Sequence, residues 1–169
     1  MNEFREIEGV FYNDPPIPEE VMRTIAILSR SKSGDLWDRH VSRIGRHFML
    51  LGDSEWPAKI TSCSLPFYRW FEDWNANRFE EFTKKLQTQV RAEADAEVLV
   101  FWMREHAIRT IWSSFSSHWI NFLYEDEGVI VLLPTQVKAL VLSNGQAWSG
   151  AREPLEAEQD AAGNPLPDM

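Results

Sequence analysis

Residues 97–150 constrain the fold of this chain more than any other stretch. They contain four apolar runs suited to β-strands and one aromatic run with helical spacing. The pair Asn144-Gly145 separates the last two apolar runs, residues 137–143 and 146–148. An Asn-Gly pair supplies the positive φ angles of a type I′ turn, which joins two antiparallel strands. The C-terminal half is therefore predicted to be an antiparallel sheet with one inserted helix.

The apolar run at residues 98–103 is predicted to be a central strand, because both of its faces are apolar. The alternating residues of the two faces are Val98, Val100 and Trp102, and Leu99, Phe101 and Met103. Residues 107–112 are predicted to pair with this strand through the short connection 104–106. Residues 129–133 supply a further strand, which brings the sheet to four or five strands.

The aromatic run between these strands is predicted to be a helix. Phe115, Trp119 and Phe122 recur at intervals that place them on one face of a helix. Residues 113 and 114 are serines, which are favoured as N-caps. The helix is expected to run from there to the acidic turn at 125–127.

The N-terminal half is predicted to be mainly helical. Pro18-Glu19-Glu20 opens a first helix, since proline and carboxylates are favoured in the first turn. Asp35 is a candidate cap for a second helix. Residues 67–74 have the apolar spacing of a third helix and residues 79–90 that of a fourth, while residues 45–63 are predicted to be irregular.

The predicted fold class is α+β. About four helices, mostly from the N-terminal half, are expected to pack on one face of the antiparallel sheet, because helices and strands are segregated along the chain. At 169 residues the sequence suits a single domain, which is predicted to span residues 1–150. The acidic residues 151–169 are predicted to form a poorly ordered tail.

The charge of the chain bears on its partners. The formal net charge is −9, of which residues 151–169 contribute −4. This balance argues against general nucleic-acid binding, which needs a basic surface, and it is compatible with a basic protein partner. Residues 22–50 carry the opposite charge, with six lysines and arginines against two aspartates, and are interpreted as the polar face of helices.

The location of the protein is inferred from what the sequence lacks. The N-terminal residues do not have the basic and apolar regions of a signal peptide. No apolar run reaches the roughly 20 residues that cross a bilayer. The chain is therefore expected to be soluble and cytoplasmic, without membrane association.

Catalytic and metal-binding signatures are missing from the sequence. No His-Glu-x-x-His, cysteine pair or glycine-rich phosphate loop occurs, so no metal, cofactor or catalytic residue is assigned. An enzyme using His106 or His118 stays open, because a histidine beside a carboxylate such as Glu105 can act as a base. Cys63 is the only cysteine, which rules out an intramolecular disulfide, and it is interpreted as a small buried residue.

The acidic turn formed by Glu125, Asp126 and Glu127 is the densest charge in the predicted domain. Its simplest interpretation is a solvated loop before a strand. A functional interpretation adds Trp119 on the neighbouring helix, since carboxylates would steer a basic partner and an aromatic ring would anchor it. These four residues are the candidate partner-binding site.

The eight tryptophans are the outlier in the composition. They are interpreted mainly as core residues, because an indole ring needs apolar cover. In a second interpretation, one or two of them line a recognition surface, since tryptophan is enriched at binding hot spots.

Several landmarks of the C-terminal half resemble a known family. They are Ile-Arg-Thr-Ile-Trp at 108–112, Phe115, residues 119–123, an acidic turn followed by an apolar strand, and Ser143-Asn144-Gly145. Leu36-Trp37 and Trp56-Pro57 are similar to earlier landmarks, so the resemblance covers roughly residues 35–150. The family consists of small, uncharacterised bacterial proteins with a domain of unknown function, so it implies no activity and no functional residues. The layout is also loosely similar to that of toxin-immunity proteins, which are small, acidic and cytoplasmic.

Three functions are compatible with these features. The first is a non-enzymatic protein-binding domain, most concretely a cytoplasmic immunity protein that neutralises a basic toxin such as a nuclease. The second is a small-molecule-binding domain with a Trp-lined pocket. The third is an enzyme using His106 or His118. The sequence also leaves open whether the protein forms a homodimer.

Overall fold

A computed structural model describes residues 16–76, 78–123 and 128–152 of the chain. Within these residues the predicted α+β class is confirmed, with seven α-helices, seven strands and a 3-10 helix at Phe48–Leu50. The α-helices are α1 Glu19–Met22, α2 Arg30–His40, α3 Trp56–Cys63, α4 Phe71–Asn75, α5 Glu80–Gln89, α6 Trp112–Ser117 and α7 Trp119–Phe122. The strands are β1 Ala26–Ile27, β2 Tyr68–Arg69, β3 Glu97–Met103, β4 His106–Ile111, β5 Val129–Leu132, β6 Lys138–Ser143 and β7 Gln146–Ala151.

The strands form one antiparallel sheet in the order β1-β4-β3-β5-β6-β7-β2. β3 pairs with β4 on one side and β5 on the other, so the predictions of a central strand and of its pairing with β4 are confirmed. The predicted hairpin joins β6 to β7, with Ser143 opposite Gln146. Its turn residues Asn144 and Gly145 have φ angles of 51° and 75°, the positive values that a type I′ turn requires.

The two edge strands come from the N-terminal half, which makes the sheet larger than the four to five strands predicted. β1 pairs with β4, and beyond it the Leu28 amide donates to the Ala107 carbonyl at 3.2 Å. β2 pairs with β7, and before it the Phe67 amide donates to the Ala147 carbonyl at 2.9 Å. Both segments have helical apolar spacing in the sequence, but hydrogen bonding to an existing strand overrides that weak local preference.

Helices cover both faces of the sheet, which differs from the expected packing on one face. On one face, Val98 and Val100 belong to an apolar cluster with residues of α5, α6 and α7. On the other, Leu99 and Phe101 pack with residues of α2 and α3, and the Trp37 ring meets that of Phe101 edge to face at 5.7 Å. A central strand that is apolar on both faces needs cover on both, which is the physical reason for the second layer.

Helix boundaries in the N-terminal half also differ from the predicted ones. α2 starts at Arg30, where the Ser29 side chain accepts a hydrogen bond from the Lys32 amide at 3.1 Å, and it runs through the predicted cap Asp35. α3 forms inside the segment that the sequence predicts to be irregular. Pro57 lies in its first turn, a position where the missing amide hydrogen is tolerated.

The predicted aromatic helix after β4 is present but divided. α6 begins at Trp112 without a side-chain cap, so the predicted serine cap is not formed. His118, with φ −123° and ψ 31°, separates α6 from α7. Both short helices keep their aromatic residues buried, which is why the pattern of a single helix was recognisable in the sequence.

The end of β7 lies at the predicted domain boundary. Ala151 closes the pairing with Lys138. The guanidinium of Arg152 donates to the carbonyls of Gln136 and Pro134 at 3.1 and 3.3 Å. Residues 153–169, which make up nearly all of the predicted acidic tail, lie outside the described residues.

The tryptophans are core residues, as in the simpler of their two interpretations. Seven of the eight are buried, and Trp74 is partly buried. The Trp37 indole donates to the Gly45 carbonyl at 2.7 Å, and the Trp70 indole donates to the Gln146 carbonyl at 3.1 Å. Such partners offset the cost of burying an indole N–H group.

Candidate functional site

The candidate partner-binding residues of the sequence fall into two groups. Trp119 is fully buried: its indole donates to the Phe79 carbonyl at 3.0 Å, and its ring meets that of Phe82 edge to face at 4.8 Å. It is therefore a core residue in this structure. The other three are Glu125, Asp126 and Glu127. They lie outside the described residues, so the acidic binding surface stays a prediction.

A polar cluster surrounds Arg104, in the turn between β3 and β4. Its Nε and Nη2 atoms donate to the two carboxylate oxygens of Asp38 in α2, at 2.9 and 2.7 Å. Its Nη1 atom donates to Glu105 Oε1 at 3.1 Å, and Arg46 forms a salt bridge with the same oxygen. A guanidinium that makes two parallel hydrogen bonds to one carboxylate is fixed in orientation as well as paired in charge.

α2 and the loop after it position Arg104. Ser33 Oγ donates to the Arg104 carbonyl at 2.7 Å, and the Arg104 amide donates to the Arg46 carbonyl at 2.9 Å. Gly34 lies directly beneath the guanidinium, because a Cβ atom there would be 2.8 Å from Nη1. The absence of a side chain at this helix position therefore allows the close approach.

The charges of this cluster support one another. The hydrogen bond from Arg104 lowers the pKa of Asp38. Burial raises the pKa of Glu105, but hydrogen bonds from Arg46 and Arg104 outweigh burial, so the net shift is downward. The hydrogen bond to Asp38 in turn raises the pKa of Arg104. Arg104 and the two carboxylates are therefore charged at neutral pH.

An open cleft of about 300 Å³ lies beside this cluster. It is lined by three arginines, Arg43, Arg46 and Arg104, and by the single acidic residue Asp38. Arg46 and Arg104 are paired, whereas Arg43 is exposed and has no ion pair within the described ranges. The cleft thus carries an excess of positive charge, in a chain whose net charge is −9.

Exposed apolar side chains adjoin the arginines. Ile44, Met49 and Leu50 are 88%, 64% and 68% exposed. The backbone of Gly45 lies against that of Leu50, since a Cβ atom on Gly45 would be 3.0 Å from the Leu50 carbonyl oxygen. The chain at Ile44 therefore lies close to the chain at residue 50, and we refer to the exposed side chains of Ile44, Met49 and Leu50 as the apolar patch.

We refer to Arg43, Ile44, Arg46, Met49 and Leu50 as the 43–50 surface. Hydrogen bonds with buried side chains hold its backbone in place. The Trp37 indole holds the Gly45 carbonyl, and Ser42 Oγ accepts hydrogen bonds from the amides of Ile44 and Gly45 at 3.1 and 3.0 Å. The exposed side chains thus project from a fixed backbone, which limits the entropy that binding would remove.

Sequence reasoning missed this surface. It interpreted the basic residues of 22–50 as a polar helix face and assigned no function to the irregular stretch that follows. Ile44 has the apolar spacing of the predicted second helix, so it gave no signal of its own. Met49 and Leu50 did, because they are apolar residues close to arginines and lie in the stretch predicted to be irregular. Apolar residues in such a place have no predicted core to enter, which favours a contact with another molecule.

A second, larger cleft of about 640 Å³ lies between the end of α5 and the start of α6. We refer to it as the Trp112 cleft, since Trp112 lines it together with Arg91 and Glu93. Ser116 also lines it. This side chain is fully buried, and its Oγ has no hydrogen-bond partner in the described part of the chain. A buried hydroxyl without a partner destabilises a fold by about 1–3 kcal/mol.

The two histidines considered for catalysis lie at opposite ends of the β4–α6 segment. His106 begins β4, and His118 follows α6. Neither lines the cleft beside Arg104 or the Trp112 cleft. Burial lowers the pKa of His118, an effect that the charge of Glu20 opposes. Glu105, the neighbour of His106 in sequence, is engaged by arginines instead.

Cys63 is exposed, so its interpretation as a small buried residue is wrong. The buried face of α3 ends at Ile60, and Cys63 occupies the last position of the helix, beyond that face. Among residues 16–76, 78–123 and 128–152, no group of three or more His, Cys, Asp or Glu side chains is arranged to hold a metal ion. No helix in those ranges has the length and apolarity needed to span a membrane.

Comparisons with known proteins identify a family but no chemistry. No curated protein and no solved structure matches the chain, and the looser similarity to toxin-immunity proteins is not shown. The resemblance to a family of unknown function is confirmed, and the match is longer than the expected residues 35–150. A family model described as "Protein of unknown function (DUF2947)" matches residues 1–150, so this chain belongs to the DUF2947 family.

Proposed function

We propose that this protein is a non-enzymatic protein-binding domain that docks an acidic partner on the 43–50 surface. The observation that carries this proposal is the exposure of Ile44, Met49 and Leu50 on an anchored backbone, beside a cleft with excess positive charge. Exposed apolar residues that lie close together and are rimmed by polar ones are typical of interaction sites on folded domains.

Burial of the three apolar side chains would supply the driving force. Removing a Leu, Ile or Met side chain completely from water contributes about 1.5–3 kcal/mol. Ile44, Met49 and Leu50 keep most of their surface exposed in the folded chain, so most of this gain remains for a partner. Met49 also suits a partner surface of irregular shape, because its side chain is flexible and polarizable.

The arginines determine the chemistry of the partner. Arg43 is exposed and has no ion pair within the residues that the structure describes. A carboxylate on a partner would pair with it through two hydrogen bonds and would speed the encounter. A second copy of this chain is a poorer partner, because a two-fold contact through the 43–50 surface would bring the same arginines together. The expected partner is a different protein with an acidic and apolar segment.

The narrower hypothesis of an immunity protein that neutralises a basic toxin depends on a different surface. It rests on the acidic residues 125–127, which lie outside the described residues, and it stays a prediction. Gly128, the residue that follows them, packs against Phe48, next to Met49 in the chain. Substitutions distinguish the two hypotheses. Binding of an acidic partner should be lost when positions 43–50 are changed, and binding of a basic partner when positions 125–127 are changed.

A photo-crosslinking amino acid at position 49, in the cells that produce the protein, tests the proposal. Light should yield an adduct with a second, acidic protein that mass spectrometry identifies. The same crosslinker at position 85, where Lys85 is exposed on α5, is the control and should not yield that adduct. An adduct between two copies of this chain, identical adducts at both positions or no adduct at position 49 would contradict the proposal.

Substitutions in the crosslinkable chain separate the apolar and charged contributions. Ile44→Asp should abolish the adduct, because it places a charge in the apolar patch. Arg43→Glu should reduce it strongly, whereas Arg43→Lys keeps the charge and is the matched control. Exposed substitutions change stability by only about 0.5 kcal/mol, so loss of the adduct would not reflect unfolding. An adduct that survives both Ile44→Asp and Arg43→Glu would overturn the assignment of this surface.

A further inference from the structure

We propose that the Trp112 cleft is a second binding site, and that it takes a free α-amino acid with an apolar side chain. The inference is independent of the proposed partner site, because no residue of the 43–50 surface lines this cleft. It rests on three features: charges of both signs without ion pairs, a buried hydroxyl without a partner, and an aromatic wall.

The size of the cleft suits a small metabolite. Its volume of about 640 Å³ falls within the range of known ligand pockets, roughly 300–1,000 Å³. Its walls come from the end of α5, the connection at 90–96, the start of α6 and the turn after β5. Side chains from four parts of the chain therefore converge on one space.

Hydrogen bonds hold these walls in place. The Trp112 amide donates to the Ala96 carbonyl at 2.9 Å, which fastens one end of the connection to α6. Gln136 Nε2 donates to the Arg91 carbonyl at 2.7 Å, which fastens the other end to the turn after β5. A cleft whose walls are already held loses little conformational entropy when a ligand binds.

Charges of opposite sign line the cleft without meeting each other. Arg91 and Glu93 are exposed residues two positions apart, and neither side chain forms an ion pair within the described residues. A ligand with a single charge would be attracted by one of them and repelled by the other. An α-amino acid carries a carboxylate and an ammonium group on one carbon atom, so its two charges can pair with Arg91 and Glu93 respectively.

The hydroxyl of Ser116 supplies an unused donor in the wall of the cleft. The backbone carbonyl of Ser116 accepts a hydrogen bond from Thr83 Oγ1 at 2.7 Å, but Oγ has no partner in the described ranges. A hydroxyl can donate to a carboxylate oxygen. Because Oγ is enclosed in the free protein, a ligand carboxylate reaches it only when the Ser116 side chain turns toward the cleft, and that contact would satisfy a group that the free protein leaves unsatisfied.

The apolar part of the ligand has a matching wall. Ala92 and Ala96 line the cleft with partly exposed methyl groups, and Trp112 and Val90 border it with the small part of their surface, 3% and 1%, that is not buried in the core. An indole ring packs well against aliphatic and aromatic side chains. The inferred ligand thus has its charged groups near Arg91 and Glu93 and its side chain against Trp112.

Isothermal titration of the full chain with free leucine, methionine and phenylalanine tests the inference, with thermal unfolding as a second readout. At least one amino acid should bind and raise the Tm. Its N-acetyl derivative lacks the positive charge and its amide lacks the negative charge, so each should bind at least about tenfold more weakly. Equal binding of the derivatives, or no binding of any of the three amino acids, would overturn the inference.

Variants locate the binding in the cleft. Arg91→Gln and Glu93→Gln should each weaken binding about tenfold. Arg69→Gln makes the same change at an exposed position outside the cleft and should leave binding unchanged. Binding equal to the wild type in both Arg91→Gln and Glu93→Gln would contradict the site.

Ser116→Ala gives a signature that a general loss of structure would not. It should weaken amino-acid binding without lowering the Tm of the free protein, because it removes an unpartnered hydroxyl from the core. Unchanged affinity in this variant would remove Ser116 from the site. Ile44→Asp should leave amino-acid binding intact, so failure of the partner proposal and failure of this inference are separate results.

Discussion

The guanidinium of Arg104 makes two hydrogen bonds to the carboxylate of Asp38, at 2.9 and 2.7 Å, across a sequence separation of 66 residues. Asp38 belongs to α2, and Arg104 lies in the turn between β3 and β4. The pair therefore ties the turn to the helix and forms one border of the positively charged cleft. Partly exposed ion pairs contribute about 1 kcal/mol or less, so its effect is to orient the turn more than to stabilise the fold.

Gly34→Ala tests how closely α2 and the guanidinium are coupled. Alanine is favoured over glycine inside a helix by about 1 kcal/mol, but the new methyl group would lie 2.8 Å from Arg104 Nη1, so the guanidinium would have to shift away from its partners Asp38 and Glu105. The substitution should stabilise an Arg104→Ala chain by about the full 1 kcal/mol and the wild-type chain by clearly less. Urea unfolding of the four chains measures this difference, and equal gains in both backgrounds would show that the guanidinium does not rest on Gly34.

Stability should fall at acid pH through Asp38 and Glu105. Both have folded-state pKa values below their ordinary values of 3.8 and 4.5, so the unfolded chain takes up protons first. Their stabilising contribution is complete above those ordinary values and is lost as the pH falls through the lower folded-state pKa values. Asp38→Asn and Glu105→Gln should flatten the curve of unfolding free energy between about pH 5 and pH 3.

The control for this pH series is Asp53→Asn, at an exposed carboxylate that forms no ion pair within the described residues. Chemical unfolding at constant ionic strength provides the measurement. A slope that stays as steep in Asp38→Asn and in Glu105→Gln as in the wild type would show that these carboxylates do not gain stability from the arginines.

A second pH effect should occur nearer neutrality, through His118. Burial holds the pKa of this histidine below its ordinary value of 6.5, although the charge of Glu20 opposes the shift. As the pH falls below that ordinary value, the unfolded chain binds a proton before the folded chain does, so the unfolding free energy declines until the lower folded-state pKa is reached. His118→Gln should remove this decline and leave the loss at more acid pH in place. An NMR titration that gives His118 a pKa of 6.5 or higher would contradict the prediction.

Trp119→Ala should destabilise the protein by about 3–5 kcal/mol, as expected for a large buried ring. The ring is fully buried and contacts those of Trp70, Phe79 and Phe82. Phe71→Ala, at a ring that is 49% exposed, is the control and should cost about 1 kcal/mol. Urea unfolding compares the two variants. Similar small losses in both would place Trp119 outside the core and return it to the candidate binding residues.

The strands of the C-terminal half follow from local sequence. Asn144-Gly145 accepts positive φ angles that most residue pairs resist, and residues 98–103 have no polar face to expose. β1 and β2 could not be found in that way. Each has two residues and forms because β4 or β7 presents backbone groups to which a passing segment can pair.

The candidate sites were harder to predict, because neither is a local motif. Ile44 is exposed next to Gly45, whose backbone is held by hydrogen bonds from the Trp37 indole and to Ser42 Oγ. Ser116, whose Oγ has no partner among the described residues, lies where α6 and the connection at 90–96 line one cleft. Each site depends on contacts between separate parts of the chain. Hydrophobic periodicity describes residues that are close in sequence, so it does not predict such contacts.

The sequence by itself determined the fold class, the hairpin at Asn144-Gly145 and the burial of most tryptophans. These features depend on backbone preferences of adjacent residues and on the hydrophobic effect, which acts on each large ring wherever it lies. Only the tertiary structure decided that helices cover both faces, that Trp119 is enclosed and that Arg104 reaches Asp38. Burial and ion pairing depend on distances between residues far apart in the chain, and local preferences do not specify those distances.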